Sequence, residues 1–347
     1  MKRATATILV LILAALSAAG QGRMALPETP RPHLRYIGTE QRDGYKCHLV
    51  EYNVSRREKV KAFLLVPDSP GPHPGMVLLH DHGARFDIGK EKLVAPLSGA
   101  SPVVKASSAQ WVRDNFDGVW LGDRLASEGY VVIVPDMLYW GSRSSGACKR
   151  WAEAVFGEGK GDVKALRKEV YEGQRAVYDS LSRLGVNWAE KTLVEDAAAA
   201  SVLRKHPKVD PERIGAAGWS MGAHRTWLLT AFCPTVKAGC ALSWMTLKRL
   251  VKEPFSASEY SMYIPSLRDG HDFPDIARAL LPKPFFFLSG TEDRLFPADA
   301  VGECYELMQA TYREAGAEGL RTEFFEGGHH CGREVQDIII QWFNDTL

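Results

Sequence analysis

Apolar residues in this chain cluster into short runs that alternate with helix-patterned stretches. Residues 60–66, 76–79, 130–134, 214–217, 238–242, 285–288 and 322–325 are short, predominantly apolar runs, most of them bounded by Gly, Pro or polar turn residues. Such runs predict buried strands. Residues 120–127, 192–206, 223–229 and 335–343 carry helical patterning, and so does 163–184. The 192–206 segment has Thr192 in the N-cap place, Glu195 three residues on and Pro207 past its end, which together form a helix start and stop signal. Strands alternating with helices predict an α/β fold: a mostly parallel, doubly wound sheet with helices on both faces. Ligands of such sheets bind beyond the carboxyl ends of the strands.

The N-terminus follows a different pattern. Lys2 and Arg3 precede an apolar run at 8–16, and Ser17-Ala18-Ala19-Gly20 supplies small residues for cleavage. This predicts a secretory signal peptide over 1–20 and an exported protein, periplasmic or extracellular. The run is short for a bilayer span, so no stable membrane insertion is expected once it is removed. Residues 21–45 are rich in Pro, Arg and Gly without a sustained period and predict an extended arm packed on the domain. Residues 46–347 predict one catalytic domain, with insertions near 84–118 and 141–191 shaping its rim.

Charge and cysteine content narrow the function. Formal net charge is +1, with acids and bases interspersed. Without a basic stripe to neutralise phosphates, nucleic acid is not the expected partner. The six cysteines are scattered and contain no Cys-x-x-Cys pair. That excludes a disulfide-built scaffold and gives no support to a zinc ribbon or thioredoxin-like site.

The chemistry gathers at predicted strand ends. Gly218-Trp219-Ser220-Met221-Gly222 lies between a predicted strand and a predicted helix. A serine on such a sharp turn exposes its hydroxyl, and the helix start offers unpaired N–H groups to an oxyanion. Serine needs a base, and the base needs an orienting group. Asp293 follows the 285–288 strand, with Glu292 and Asp299 as alternatives. His329 follows the 322–325 strand on Gly327-Gly328, with His330 as the alternative. The order Ser220, Asp293, His329 is that of a hydrolase nucleophile elbow and its partners. The Met221 N–H supplies one half of the oxyanion hole. Ala84, with Gly83 as fallback, supplies the other from the loop after the 76–79 strand. His80-x-His82 in that loop has a metal-ligand spacing, but no carboxylate or thiol cluster joins it. Buried histidines bracing the loop are therefore expected, with no metal and no cofactor. Trp140, Trp219 and Trp244 are candidates for a substrate pocket, with core or rim packing as the alternative role.

With those motifs in place, the chain resembles the α/β-hydrolase superfamily. It looks most like the dienelactone-hydrolase-like and acetyl-xylan-esterase-like branch. Gly218-Trp219-Ser220-Met221-Gly222 after residues 209–215, the 125–136 stretch ending Val134-Pro135-Asp136, and Gly290-Thr291-Glu292-Asp293 carry the resemblance. Two departures bear on substrate. Dienelactone hydrolase proper uses a cysteine nucleophile, where this chain has Ser220. Acetyl xylan esterases of this type usually carry Gln-Gly-Gly after the serine, where this chain has Met221-Gly222-Ala223. The expected function is an exported serine hydrolase cleaving a small-molecule or carbohydrate ester through an acyl-enzyme. The alternatives are a prolyl-oligopeptidase-like peptidase, which usually adds a large propeller domain, and a non-catalytic carbohydrate-binding protein of the same fold.

Overall fold

The computed structural model describes residues 32–55, 57–157, 159–250, 260–262, 264 and 270–347. The expected signal peptide at 1–20 lies outside the described residues. The strands are β1 (Leu34–Arg42), β2 (Tyr45–Asn53), β3 (Lys59–Pro67), β4 (His73–Leu79), β5 (Val131–Pro135), β6 (Val209–Trp219), β7 (Ala238–Leu242), β8 (Phe285–Gly290) and β9 (Leu320–Phe325). The α-helices are α1 (Pro102–Asn115), α2 (Leu121–Ser127), α3 (Gly146–Phe156), α4 (Val163–Arg183), α5 (Trp188–Arg204), α6 (Met221–Phe232), α7 (Ile276–Leu280), α8 (Ala298–Glu314) and α9 (Arg333–Thr346). Among the described residues, no helix is long and apolar enough to cross a membrane.

The strands form one sheet in the order β1-β2-β3-β5-β4-β6-β7-β8-β9. From β5 to β9 each neighbouring pair is parallel, whereas β1, β2, β3 and β5 pair antiparallel. The continuous apolar runs have the cause expected of them, since β5, β7 and β8 are buried along their whole length between helices on both faces. In β8, Phe285 and Phe287 enter the core beneath α5, α6 and α8. Phe286 enters the opposite core, beneath α2 and α9. All three are almost fully enclosed, each contributing roughly 1.5–3 kcal/mol of burial.

The N-terminal arm departs from its expectation. From Leu34 onward it is β1, the edge strand of the sheet, paired with β2 across a tight turn at Gly44 (φ +79°). Most of its side chains are exposed, so this edge strand presents no apolar face for a sequence pattern to reveal. Helix α5 also starts earlier than its pattern. The Asn187 side chain accepts the Glu190 N–H at 3.0 Å as the cap, and Thr192 Oγ1 donates back to Trp188 O inside the helix.

The two insertions hold α1, α3 and α4. They form a third core with the loops after β4 and β5, built around Phe86, Tyr139, Trp140, Trp151 and Trp188 and reaching Met221. On the inward face of α4, Tyr171 meets Phe86 at 5.9 Å between ring centroids. Gln174, fully buried one turn on, reaches His82. The insertions thus pack down on the carboxyl edge of the sheet.

Candidate active site

Strand β6 ends at Ser220, which opens α6 with φ +56° and ψ −123°. A non-glycine residue held there is strained, and such strain persists only where the surroundings over-determine it. Two close approaches do so. A Cβ at Gly222 would lie 1.9 Å from Leu79 O, and one at Gly218 would lie 2.4 Å from the Gly222 backbone. Only glycine lets the turn close on the end of β4. The Ser220 N–H donates to Leu242 O at 2.8 Å. Its hydroxyl makes no hydrogen bond among the described residues and is partly open to solvent.

Strain recurs along this edge. Five described non-glycine residues have positive φ, and four of them, Ala84, Tyr139, Ser220 and Ser243, lie just past the ends of β4, β5, β6 and β7. The carboxyl edge of the sheet is where backbone strain concentrates.

The loops after β8 and β9 bring Asp293 and His329 together. Asp293 is buried. Its Oδ1 accepts the N–H groups of Leu295 (2.8 Å) and Phe296 (3.1 Å), and its Oδ2 meets His329 Nδ1 at 2.7 Å. The carboxylate is therefore aimed by its own loop before it meets the imidazole. The His329 ring lies 4.9 Å from the Trp219 ring, beside the serine. With Nδ1–H given to Asp293, the outer Nε2 is left to act as a base. The alternatives face elsewhere. His330 Nδ1 meets Gly328 O at 3.2 Å and its ring stands edge-on to Phe325, while Glu292 and Asp299 are exposed.

The expected oxyanion donors divide. Met221 is the first residue of α6, and its N–H makes no hydrogen bond among the described residues. The Ala84 N–H, the expected second donor, is instead given to His82 Nδ1 at 3.0 Å. The fallback, the Gly83 N–H, makes no hydrogen bond among the described residues. Gly83 has φ +52°, and a Cβ there would lie 2.3 Å from the Trp111 ring.

His80 and His82 brace this loop. His80 Nδ1–H donates to Asp81 O at 2.9 Å, and its Nε2 accepts the Met137 N–H at 3.2 Å. Because His82 Nδ1 accepts from Ala84, its proton sits on Nε2. Gln174 Nε2 lies 3.3 Å from His82 Nε2, and exchanging the two ends of its amide puts the otherwise partnerless Oε1 there to accept that proton. Burial first, then the Lys92 and Arg167 charges, push the His82 pKa down to about 3. Burial also holds His80 well below its ordinary value, with Arg225 and Lys92 adding to the effect. Both rings are neutral and committed to protein partners.

The three tryptophans do not share a pocket. Trp140 is fully enclosed, donates its indole N–H to His82 O at 3.1 Å and packs 5.0 Å from Phe86, so it supports the loop and does not line a pocket. Trp244 is core, packed on His224 at 4.7 Å and Phe273 at 5.1 Å. Of the three, Trp219 alone adjoins the His329 imidazole, and it too is largely buried.

Sequence reasoning missed the buried charges behind the site. Arg225 on α6 grips Asp196 on α5 through two hydrogen bonds (2.7 and 3.0 Å) and reaches His80 O at 3.4 Å. Lys90 bonds Asp136 (2.7 Å) and Glu91 (2.6 Å), and Lys92 bonds Asp81 (3.1 Å). Charged residues in a segment read as a rim insertion gave no burial signal. Asp136, directly after β5, was the one available hint.

Comparison with known proteins gives a consistent picture. Residues 111–331 match the family described as the dienelactone hydrolase family. YtaP of Bacillus subtilis (strain 168), a hydrolase by name, is 25% identical over 301 residues, spanning 84% of this chain and 85% of that protein. A Bacteroides fragilis NCTC 9343 protein named as an acetyl xylan esterase superposes with a TM-score of 0.64 at 17% identity, over 92% of this chain and 74% of its own. A glucuronoyl esterase from Solibacter usitatus gives 0.61 at 11% identity, over 97% and 91%. The structural likenesses assign the α/β-hydrolase fold.

Proposed function

The chain belongs to the dienelactone hydrolase family, and on that premise we propose that it is an exported serine esterase with Ser220 as its nucleophile. The observation that carries this reading is the strained Ser220 turn, whose preceding residue Trp219 packs 4.9 Å from the His329 ring, together with the Asp293–His329 pair joined at 2.7 Å. The export reading rests on the leader sequence at 1–20.

Each step has a candidate group. His329 Nε2 takes the Ser220 hydroxyl proton as Oγ attacks the ester carbonyl carbon. The Met221 N–H and an N–H of the loop after β4 hold the oxyanion. Asp293 keeps Nδ1–H in place and stabilises the imidazolium. The tetrahedral intermediate collapses, and His329 gives its proton to the leaving alcohol. Water, deprotonated by His329, then attacks the acyl-enzyme and releases the acid and free Ser220. The reaction calls for no cofactor.

The substrate we favour is an acyl ester on a polysaccharide or a similar small ester. Fold neighbours named as acetyl xylan and glucuronoyl esterases support this direction. The test is hydrolysis of p-nitrophenyl acetate and acetylated xylan by wild type and Ser220→Ala. Activity on either substrate that disappears in the variant supports the reading, and wild-type rates in the variant overturn it.

A further inference from the structure

Lys92 is completely buried, a rare position for an ammonium group. Its Nζ donates to Asp81 O at 2.8 Å, His82 O at 2.9 Å and Asp81 Oδ2 at 3.1 Å, and lies 5.0 Å from the centre of the Trp111 ring. The two carbonyls are consecutive. Across a trans peptide, the C=O of one residue and the N–H of the next point in opposite directions. Two successive carbonyls drawn to one cation therefore turn the N–H groups of His82 and Gly83 together to the other side. Successive N–H groups that converge in this way make an anion-binding concavity.

One observation brings that concavity close to Ser220, and two more show its N–H groups free and its carbonyl side fixed. The loop begins where β4 ends, and a Cβ on the elbow glycine Gly222 would lie 3.2 Å from the His80 carbonyl carbon. Neither the His82 nor the Gly83 N–H makes a hydrogen bond among the described residues, whereas the next N–H, of Ala84, is taken by His82 Nδ1. The carbonyl side is fixed redundantly: His82 O also accepts the Trp140 indole at 3.1 Å, and His80 O, one residue earlier, is reached by Arg225.

We propose that Lys92 is a positioning residue for the oxyanion hole: its ammonium holds back the carbonyls of Asp81 and His82 so that the N–H groups of His82 and Gly83 face the ester carbonyl oxygen at Ser220. The inference rests on the serine esterase reading. It replaces Ala84 as the second donor and gives the loop's buried lysine a task. A positive charge behind the two peptides also strengthens the polarity of their N–H ends in this buried setting.

The test uses the full mature protein. Lys92→Met keeps the side chain's length and removes its charge, but it strands the buried Asp81 carboxylate, which is costly to folding. Lys92→Met/Asp81→Asn removes both charges together and keeps the experiment readable if the single variant misfolds. Lys92→Arg keeps a cation. Two readouts are taken: kcat and KM on p-nitrophenyl acetate, and inhibition by a phenylboronic acid, whose tetrahedral serine adduct places an oxygen where the oxyanion forms. The expected result is a kcat loss of about 10²–10³-fold with KM little changed, a parallel weakening of boronate inhibition, and partial recovery in Lys92→Arg. A folded double variant with wild-type kcat and boronate affinity overturns the proposal, as does a loss confined to KM. In either case Ser220-dependent hydrolysis by wild type leaves the esterase reading standing. Wild-type protein that neither hydrolyses the ester nor binds the boronate overturns both.

Discussion

Asp293 Oδ2 lies 2.7 Å from His329 Nδ1, while the other carboxylate oxygen of Asp293 is held by the N–H groups of Leu295 and Phe296. The carboxylate is thus oriented before the imidazole meets it, and its charge favours the tautomer with an unprotonated outer nitrogen. Asp293→Asn keeps the shape but can present an N–H toward Nδ1, which forces the wrong tautomer. We expect kcat to fall about 10³–10⁴-fold with little change in KM. Steady-state kinetics on p-nitrophenyl acetate measures this, and a fall below tenfold contradicts the assigned role.

The two neighbouring histidines separate cleanly. His329 meets Asp293, and His330 turns to Gly328 O. His329→Ala is expected to abolish turnover, while His330→Ala keeps most of it. The reverse ranking of the two variants would move the base to His330.

Trp140 acts through packing and its bond to His82 O. Trp140→Ala empties a fully enclosed site, with an expected loss of about 3–5 kcal/mol in unfolding free energy. Leu184→Ala, at an exposed position, should change stability by less than about 0.5 kcal/mol. Chemical denaturation of both variants gives the comparison, and equal midpoints would contradict the burial of Trp140.

Buried neutral histidines set an acid limit. Burial first, then the Arg225 charge, push the His224 pKa down to about 3, and His82 is likewise near 3. Between pH 6.5 and 3 the unfolded chain binds a proton at each site that the folded chain does not. Their stabilising contribution is therefore complete above about pH 6.5 and is lost as pH falls through this window, at up to ~1.4 kcal/mol per histidine per pH unit. Urea midpoints from pH 7 to 4.5 should fall, and they should fall less steeply in His224→Phe than in wild type. Equal slopes for the two proteins would contradict the assignment of His224 to this loss.

Much of this architecture was legible in the sequence. The continuous runs at 130–134, 238–242 and 285–288 could be read because strands covered on both faces carry no polar alternation. Ser220 and Asp293 could be singled out because each follows such a run, whereas His329 follows the half-exposed β9 and was singled out by Gly327-Gly328 before it. Three features were not legible. β1 is an exposed edge strand whose charged residues hide its register. The direction of an N–H depends on the peptide's orientation, so residue type alone could not decide between Ala84 and Gly83. Lys90 and Lys92 look like solvated charges until their partners Asp136 and Asp81 are brought close by the fold.

The central claim is that Ser220 is the nucleophile, and covalent capture tests it most directly. Purified protein is treated with a fluorophosphonate, and its intact mass and peptide masses are then read by mass spectrometry. The expected result is one adduct on the peptide carrying Ser220, absent from Ser220→Ala and strongly slowed in His329→Ala. An unlabelled wild-type protein, or an adduct on another residue that survives in Ser220→Ala, would contradict the account.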